Sequence, residues 1–369
     1  MLDALRKDIS TWCDENLCLD TAERFDRGDE SPVELYKGMA ANGWLGYANI
    51  AKDPDNLYRL AEVCKIINGY SGVLGNMISV NAACAMMLGK FGGPEHQRLA
   101  GAILSGEKMA AFALTEPQAG TDVQGLETDA RLVGERWCIR GEKYLTTGAQ
   151  VADVLLVVAR TDHQVPMNQG TSLLAVPADA SGLSIQPIPK MAVNGYASCH
   201  VIFDGTEVPE DALVGKANSA WGALSLGGAI ERILVAACCV GLSQTIGEYL
   251  YSYAQERQVG GHPLYQLTNI NHQIVDIAIQ VRAADALVDH AIAAFIGGGN
   301  PTNAVAAAKA FAAKMQQEVS MTAMQVMGGR AYLQSFPVER WLREGLLALW
   351  AGGTNELQKN LMARNPFSQ

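Results

Sequence analysis

The sequence predicts an α+β protein with three consecutive parts: an N-terminal helical domain over 1–110, a central β-barrel or β-sandwich domain over 111–217, and a C-terminal four-helix bundle over 218–369. Apolar residues recur at helical spacing toward both ends of the chain, whereas short β-branched runs separated by turn residues occupy the middle. The composition favours a large core, because 49% of the 369 residues are hydrophobic and only 18% are charged. This balance excludes a disordered chain.

The N-terminal part has a helical pattern. Leu57, Leu60 and Val63 lie at spacings that place them on one helix face. The stretch 76–88 is small and apolar with no charged residue, so it predicts a buried helix. We expect the depth of any substrate pocket to depend on that helix. The Gly-Gly-Pro sequence at 92–94 combines a helix stop with a helix start.

The central part has the pattern of a β module. Glycine, asparagine and aspartate separate its strand-like runs at the spacing of an all-β domain. The runs are 137–139, 154–159, 172–176 and 201–203.

The C-terminal part returns to long helical segments, several of which end at glycines. The predicted helices are 222–257, 271–295, 302–327, 338–349 and 355–363. Long helices joined by short connections are typical of a bundle.

The charge and the cysteines exclude several functions. With 28 basic and 38 acidic residues the net charge is −10, which disfavours nucleic acid as a partner. We find no apolar run long enough to span a membrane, and the first seven residues lack the apolar core of a signal peptide. The eight cysteines form no CxxC pair and no zinc spacing. We expect a cytoplasmic protein without metal, in which Cys238 and Cys239 are small core residues.

Two segments have residue types suited to holding a cofactor. Thr115 and Thr121 flank a turn whose hydroxyls and backbone N–H groups can bind an electron-rich ring or a phosphate, although an ordinary loop has the same composition. Gly328 and Gly329 follow a long helix and permit close approach of a pyrophosphate, although a plain helix C-cap also uses glycine.

Five motifs in order resemble the acyl-CoA dehydrogenase family. They are ALTEPQAGTD at 113–122, GEKYLTT at 141–147, QVMGGRAY at 325–332, PVER at 337–340 and GTNEL at 353–357. The resemblance implies an FAD enzyme that dehydrogenates acyl thioesters between Cα and Cβ, as a homodimer or homotetramer. An electron-transfer flavoprotein is the implied electron acceptor, and oxygen is the alternative.

The resemblance also implies which residues contact FAD. Some fall near the flavin ring and the thioester arm, and others reach FAD across a subunit interface. The complete set is Leu114, Thr115, Gly120, Thr121, Thr147, Arg257, Gln325, Gly328, Gly329, Thr354 and Glu356. Leu145 stands where many members place a tryptophan against the flavin, and the aromatic residue that usually follows the arginine at 257 is missing.

The catalytic base is the main departure from the family pattern. Thioester dehydrogenation needs a base for the α proton, and the usual glutamate position is Gly352 here. The apolar segment 221–242 contains only two charges, Glu231 and Arg232, which point apart on a helix and each need a partner unless both reach solvent at a subunit edge.

The resemblance supplies an assignment for this pair. A subset of the family, including isovaleryl- and long-chain-type enzymes, carries its base as the glutamate of such a Glu-Arg pair and has a small residue at the usual site. The resemblance therefore implies Glu231 as the α-proton base, Gly352 N–H as a donor to the thioester carbonyl, and Arg232 and Thr121 as substrate-binding residues.

The substrate carrier stays open between CoA and an acyl carrier protein. Ala229 stands where CoA-binding members often hold aspartate. Related branches oxidise short hydroxy- or aminoacyl groups on carrier proteins in polyketide or peptide assembly. A non-catalytic flavoprotein of the same fold is a further alternative, because the usual base and the tryptophan are missing.

Overall fold

The N-terminal part is helical in this computed structural model, which describes residues 2–364, 366 and 367. Met1 and Gln369, which bound the predicted first and last domains, lie outside the described residues. The helices are α1 (Leu2–Asn16), α2 (Leu19–Arg27), α3 (Val33–Ala41), α4 (Asn56–Tyr70), α5 (Gly72–Phe91) and α6 (Pro94–Leu104). The uncharged stretch 76–88 forms the middle of α5 and is largely buried, as predicted.

The central part is one seven-stranded sheet in the order β1-β4-β2-β3-β7-β6, with β5 paired to β4. The strands are β1 (Ala110–Ala113), β2 (Asp129–Val133), β3 (Arg136–Thr147), β4 (Val154–Arg160), β5 (Thr171–Pro177), β6 (Leu183–Ile188) and β7 (Ser198–Pro209). β1 runs parallel to β4, whereas β4–β5, β3–β7 and β6–β7 are antiparallel. Three strands, β1, β2 and β6, were not expected from the sequence.

Strand β4 is apolar from Val154 to Ala159 because both of its faces are covered. Leu156 belongs to a cluster that includes Met87 of α5, whereas Leu155 belongs to a cluster with Ile139 of β3 and Val201 of β7. One face of the curled sheet therefore packs on helices and the other on strands of the same sheet. This arrangement confirms the predicted β domain.

The C-terminal part is a helical bundle. Its helices are α7 (Ala220–Glu256), α8 (Thr268–Ile296), α9 (Thr302–Met327), α10 (Val338–Leu346) and α11 (Asn355–Met362), with a small ribbon of β8 (Gln258–Val259) and β9 (His262–Pro263) after α7. These bounds lie close to the predicted ones.

The two helical parts share one hydrophobic core, although they are far apart in sequence. Leu60 of α4 and Ile230 of α7 belong to the same buried cluster. Helix α7 is rich in small residues because its neighbours approach closely: a Cβ on Gly241 would lie 1.9 Å from the Lys65 carbonyl oxygen, and one on Gly227 would lie 2.7 Å from Met87 Sδ. The α4–α7 contact therefore requires glycine.

The expectation about apolar runs needs correction. Helices α5 and α7 are both long and apolar enough to cross a membrane by length and composition alone. However, 83% and 61% of their most apolar windows are buried inside the protein. Their composition is explained by packing in the shared core.

Candidate active site

The candidate active site centres on the contact of two charged side chains with one glycine. Gly352 N–H donates a 3.2 Å hydrogen bond to Glu231 Oε1, and Arg232 Nε donates a 2.9 Å hydrogen bond to the Gly352 carbonyl oxygen. Glu231 and Arg232 are neighbours on α7 and point apart, yet the N–H and C=O of Gly352 also point in different directions. Each charge thus obtains a separate partner from the same residue.

Burial sets the acidity of this pair. Desolvation raises the pKa of the Glu231 carboxyl, while the Arg232 charge, the Gly352 N–H and the Lys309 charge act in the opposite direction. Desolvation also lowers the pKa of the Arg232 guanidinium, against the attraction of Glu231. A buried carboxylate whose pKa is raised is a stronger proton acceptor than an exposed one.

Gly352 has a backbone that disfavours other residues. Its φ is +66°, and an added Cβ would lie 3.1 Å from Arg232 Cγ. A side chain at 352 would therefore be strained and crowded against Arg232. The positive φ and this crowding together explain in physical terms why position 352 favours glycine.

Lys309 and Gln358 hold the loop that carries Gly352. The Lys309 side chain is fully buried, and its Nζ donates to the carbonyl oxygens of Gly353 (2.7 Å) and Leu349 (3.3 Å) and to Asn355 Oδ1 (3.0 Å). Burial lowers the pKa of Lys309 to about 8. Gln358 Nε2 donates to the Gly352 carbonyl oxygen at 3.2 Å. The loop is thus anchored from two sides.

A buried ion pair builds the loop after β1. Lys143 Nζ lies 2.6 Å from Glu116 Oε1 and 2.9 Å from the Leu114 carbonyl oxygen, and both charged side chains are essentially inaccessible. The Glu116 carboxylate also accepts the backbone N–H groups of Glu127 and Thr128. Glu116 therefore shapes this loop, and burial lowers the pKa of Lys143 to about 8.

The loop and strand β3 together form a wall of hydroxyls and exposed apolar surface. Tyr144 N–H donates to the Thr115 carbonyl oxygen at 2.7 Å, and Thr147 Oγ1 lies 3.2 Å from Ser198 Oγ. Between them, Leu145 has a φ of +57° and a side chain that is 54% exposed. A non-glycine residue in this conformation is uncommon and marks a site worth functional attention.

The residues predicted to hold the flavin side of FAD fit that role. The Thr115 and Thr121 hydroxyls make no hydrogen bond to other described residues, and nothing lies within 4 Å of a Cβ built on exposed Gly120. Hydroxyl donors beside open backbone suit the polar edge of a flavin ring. Leu114 and Thr115 contact strand β3 through Lys143 and Tyr144, and Thr147 is the last residue of that strand.

The first turns of α7 connect this wall to Glu231. Ala223 of α7 packs in the same cluster as Ala119, and Leu114 packs against that cluster. Cys84 of α5 belongs to the cluster too, and the Glu231 charge contributes to the raised pKa of its thiol. Glu231 follows Ala223 by two helical turns, about 12 Å along the axis.

Four of the other predicted FAD residues lie at the opposite end of the bundle from this wall. Arg257 is exposed at the end of α7, and Gln325, Gly328 and Gly329 are exposed at the end of α9. A Cβ on either glycine would meet nothing within 4 Å. Arg257 lies about 50 Å along α7 from Ala223. The structure therefore does not bring these residues to the wall that the loop after β1 and strand β3 form in the same chain, which we call the flavin wall.

Two further residues that were predicted to contact FAD, Thr354 and Glu356, follow Gly352 in the chain. Thr354 caps α11 by accepting the Leu357 N–H at 3.1 Å, and Glu356 is exposed. Among the weaker candidates, His200 lies 2.5 Å from Glu142 Oε2 on neighbouring strands. His272 is exposed.

Lys309 and Lys143 were not predicted as site residues from the sequence, although Lys143 lies within the GEKYLTT motif. Lys309 is fully buried on the largely apolar helix α9. The criterion that identified Glu231, an isolated charge in an apolar helix, would also have found it.

The chain is similar in sequence to two protein-family models and to individual known proteins. Residues 111–206 match the model described as acyl-CoA dehydrogenase, middle domain, and residues 221–366 match acyl-CoA dehydrogenase, C-terminal domain. The chain is 30% identical over 360 residues to the probable acyl-CoA dehydrogenase YngJ of Bacillus subtilis, covering 93% of this chain and 92% of that protein.

Solved structures agree in fold. The butyryl-CoA dehydrogenase from Megasphaera elsdenii superposes with a TM-score of 0.94 at 24% identity, covering 100% of this chain and 98% of the other. The prolyl acyl carrier protein oxidase AnaB superposes with a TM-score of 0.93 at 20% identity, covering 100% and 99%.

Proposed function

The chain belongs to the acyl-CoA dehydrogenase family, and we propose on that premise that it dehydrogenates an acyl thioester between Cα and Cβ with Glu231 as the α-proton base. As a family member it is a flavin oxidoreductase that acts on CH–CH bonds, and its cofactor is FAD. The observation that carries the assignment of the base is the bond between the Glu231 carboxylate and Gly352 N–H.

The proposed chemistry divides between the carboxylate and the glycine. The Gly352 N–H donates to the thioester carbonyl oxygen, which acidifies the α proton. Glu231 Oε1 gives up its bond to Gly352 and accepts that proton, while Arg232 continues to hold the Gly352 carbonyl. FAD, when bound, would supply the acceptor for the hydride that leaves Cβ, and a Cα=Cβ double bond would result.

Residues of two kinds would hold FAD. Leu114, Thr115, Gly120, Thr121 and Thr147 would contact the flavin. Contacts across a subunit interface would come from Arg257, Gln325, Gly328 and Gly329. Thr354 and Glu356 would contact FAD near the Gly352 loop. The open hydroxyls and glycines described above support this assignment.

A Glu231→Gln variant tests the base. It retains the hydrogen bond to Gly352 and the side-chain volume, so we expect normal folding and FAD content. We expect substrate to bleach the flavin about 10²–10⁴-fold more slowly, the range of general-base contributions. Glu248→Gln, at an exposed carboxylate on the same helix α7, serves as the surface control.

Bleaching by Glu231→Gln at the wild-type rate would refute the assignment. A wild-type protein that retains FAD but is not bleached by any thioester would favour the non-catalytic flavoprotein instead.

The carrier is proposed as CoA, with an acyl carrier protein as the second candidate. Ala229 in place of aspartate favours the second candidate, and one protein of this fold is named a prolyl acyl carrier protein oxidase. Offering the same acyl group on CoA and on a carrier protein, and comparing flavin reduction rates, separates the two.

The electron acceptor is a separate question. The rates at which an electron-transfer flavoprotein and oxygen reoxidise the reduced flavin identify it.

A homo-oligomer is part of the proposal. The flavin wall and Arg257 are about 50 Å apart along α7, which is more than one FAD molecule spans. Complete FAD sites would therefore require a second copy of the chain, as a dimer or tetramer.

A further inference from the structure

The ends of three neighbouring strands meet beside the flavin wall. Thr147 is the last residue of β3, and it pairs across the sheet with Ser198, the first residue of β7. On the other side of Ser198 lies Ile188, the last residue of β6. The chain continues from Ile188 to Lys190, whose Nζ lies 3.5 Å from Ser198 Oγ. The Lys190 ammonium and two hydroxyls therefore share one edge of the sheet.

Lys190 is a cation without a carboxylate partner among the described residues. Its Nζ donates to the Tyr196 carbonyl oxygen at 2.8 Å and, more distantly, to Ser198 Oγ. Asp26 attracts it, but the two oxygens of Asp26 are engaged by the Val193 N–H and by Arg343, each at 2.6 Å.

Burial acts on the charge of Lys190. Desolvation lowers the pKa of Lys190 to about 8, against the attraction of Cys199 and Asp26. The side chain is therefore still mainly protonated at neutral pH. A desolvated cation is costly unless a negative charge compensates it. A bound group that gains negative charge nearby would supply that compensation.

The bonding capacities of these groups give the hydroxyls a direction. An ammonium only donates, so Ser198 Oγ turns its lone pairs toward Lys190 and its own hydrogen away. Thr147 Oγ1, 3.2 Å from Ser198 Oγ, can accept that hydrogen. The hydrogen of Thr147 is then left to donate, and the Leu145 carbonyl oxygen is a distant acceptor at 3.5 Å. A flavin acceptor at ordinary hydrogen-bond distance would take its place.

Burial makes this orientation effective. Ser198 is 8% exposed, so water competes little for its hydroxyl, whereas Thr147 is partly exposed on the flavin wall. In such surroundings a charge orients a hydroxyl even at 3.5 Å, and linked hydrogen bonds polarise one another. We call Lys190 Nζ, Ser198 Oγ and Thr147 Oγ1 the hydroxyl chain. It runs from a desolvated cation to an open hydroxyl.

We propose that Lys190 is a positioning residue that acts through Ser198 to direct the Thr147 hydrogen at the flavin and to raise the reduction potential of bound FAD. A flavin that accepts a hydride gains negative charge, and a donor backed by a cation stabilises that charge. The inference rests on the part of the proposed function that places FAD at the flavin wall. It does not depend on the acyl group or its carrier.

The test measures the reduction potential of FAD in the purified holoenzyme by equilibration with a redox dye, without thioester. Lys190→Met removes the charge at a similar side-chain length. We expect the ratio of reduced to oxidised flavin at a fixed potential to fall by at least about tenfold, which is about 30 mV for a two-electron couple. Lys37→Met, at an exposed lysine that pairs with Glu34 on α3, is the control and should leave the potential unchanged.

A double-mutant cycle separates action through the hydroxyls from direct action of the charge. Ser198→Ala removes the middle hydroxyl and leaves the cation, so it should lower the potential by itself. In the Ser198→Ala background, Lys190→Met should change the flavin ratio by less than about threefold. Ser198→Thr keeps a hydroxyl and should keep most of the wild-type potential. FAD content and denaturant unfolding, measured for each variant, show that it is folded and loaded.

An unchanged potential in FAD-loaded Lys190→Met would overturn the inference, and so would equal shifts with and without the Ser198 hydroxyl. Weaker FAD binding at an unchanged potential would make Lys190 a binding residue only and would also overturn it. If Lys190→Met holds no FAD, a wild-type potential in Ser198→Ala overturns the inference. Failure of every thioester to bleach a flavin whose potential responds as expected would refute the proposed dehydrogenation and leave the hydroxyl chain standing.

Discussion

At the scale of single residues, the Glu231-Arg232 pair shows how adjacent charges share one partner. Neighbouring positions on a helix point apart, which predicted separate partners for the two side chains. The partners are separate groups of one residue, the N–H and the C=O of Gly352. Gly352 stands at the position where most members of the family carry the base. The carboxylate that is missing there is matched by that of Glu231, which accepts a hydrogen bond from the Gly352 backbone.

The raised pKa of Glu231 predicts the pH dependence of flavin reduction. The base must be ionised to accept a proton, so the rate should rise as pH increases through the pKa of Glu231 and fall below it. Because burial raises that pKa, the fall should occur at higher pH than for an exposed glutamate. Stopped-flow measurement of the rate of flavin reduction across pH records this fall, which is the acid limb of the pH profile. Its persistence in Glu231→Gln would assign the limb to another group.

Lys309 should set the position of that limb. Its charge lowers the pKa of Glu231, so Lys309→Met should move the acid limb to higher pH and loosen the Gly352 loop. Lys314→Met, at an exposed lysine on the same helix, is the matched control and should leave the profile unchanged. A Lys309 variant with lower activity but an unmoved limb would reduce its role to structural support.

At the scale of elements, the loop after β1 depends on the Glu116–Lys143 pair. Lys143→Met leaves a buried carboxylate without its cation, which typically costs 3–5 kcal/mol, so we expect about that loss in the free energy of unfolding together with weaker FAD retention. Denaturant unfolding and flavin absorbance measure the two effects.

An exposed pair provides the control for this substitution. Arg131 pairs with Asp129 on β2 and is 77% exposed, so Arg131→Met should change stability by less than about 0.5 kcal/mol. Comparable losses in both variants would contradict the importance assigned to burial.

The elements also show which parts of the fold a single sequence predicts. Helices α7, α8 and α9 were predicted close to their observed bounds because long periodic segments ended by glycine or proline leave few alternatives. β1 escaped prediction because its sequence, AAFA, has no β-branched residue and becomes a strand by pairing with β4. The grouping of Asn68, Ser79 and Gln316 around Cys238 could not be predicted, since these residues lie on α4, α5 and α9 and meet only in the folded chain.

At the scale of the whole molecule, the length of α7 separates the two groups of predicted FAD contacts. Ala223 packs beside the flavin wall, whereas Arg257 ends the same helix. Lys309 binds the loop beside Gly352, and Gly328 follows it by nineteen residues, about 28 Å along α9. The groups cannot converge within one chain, so each site would combine one wall with the far end of another copy.

Subunit complementation tests this arrangement. Thr115→Val removes a hydroxyl from the flavin wall and Arg257→Ala removes the cation at the far end, so each variant alone should purify with reduced FAD. If sites are shared, co-expression should restore FAD in mixed oligomers, because one class of interface then combines an intact wall with an intact Arg257. The FAD-to-protein ratio and native mass of the co-expressed sample, compared with the two variants purified separately and mixed, give the result. FAD retention by a monomeric wild-type chain, or failure of co-expression to raise the ratio, would show that each chain holds its cofactor alone.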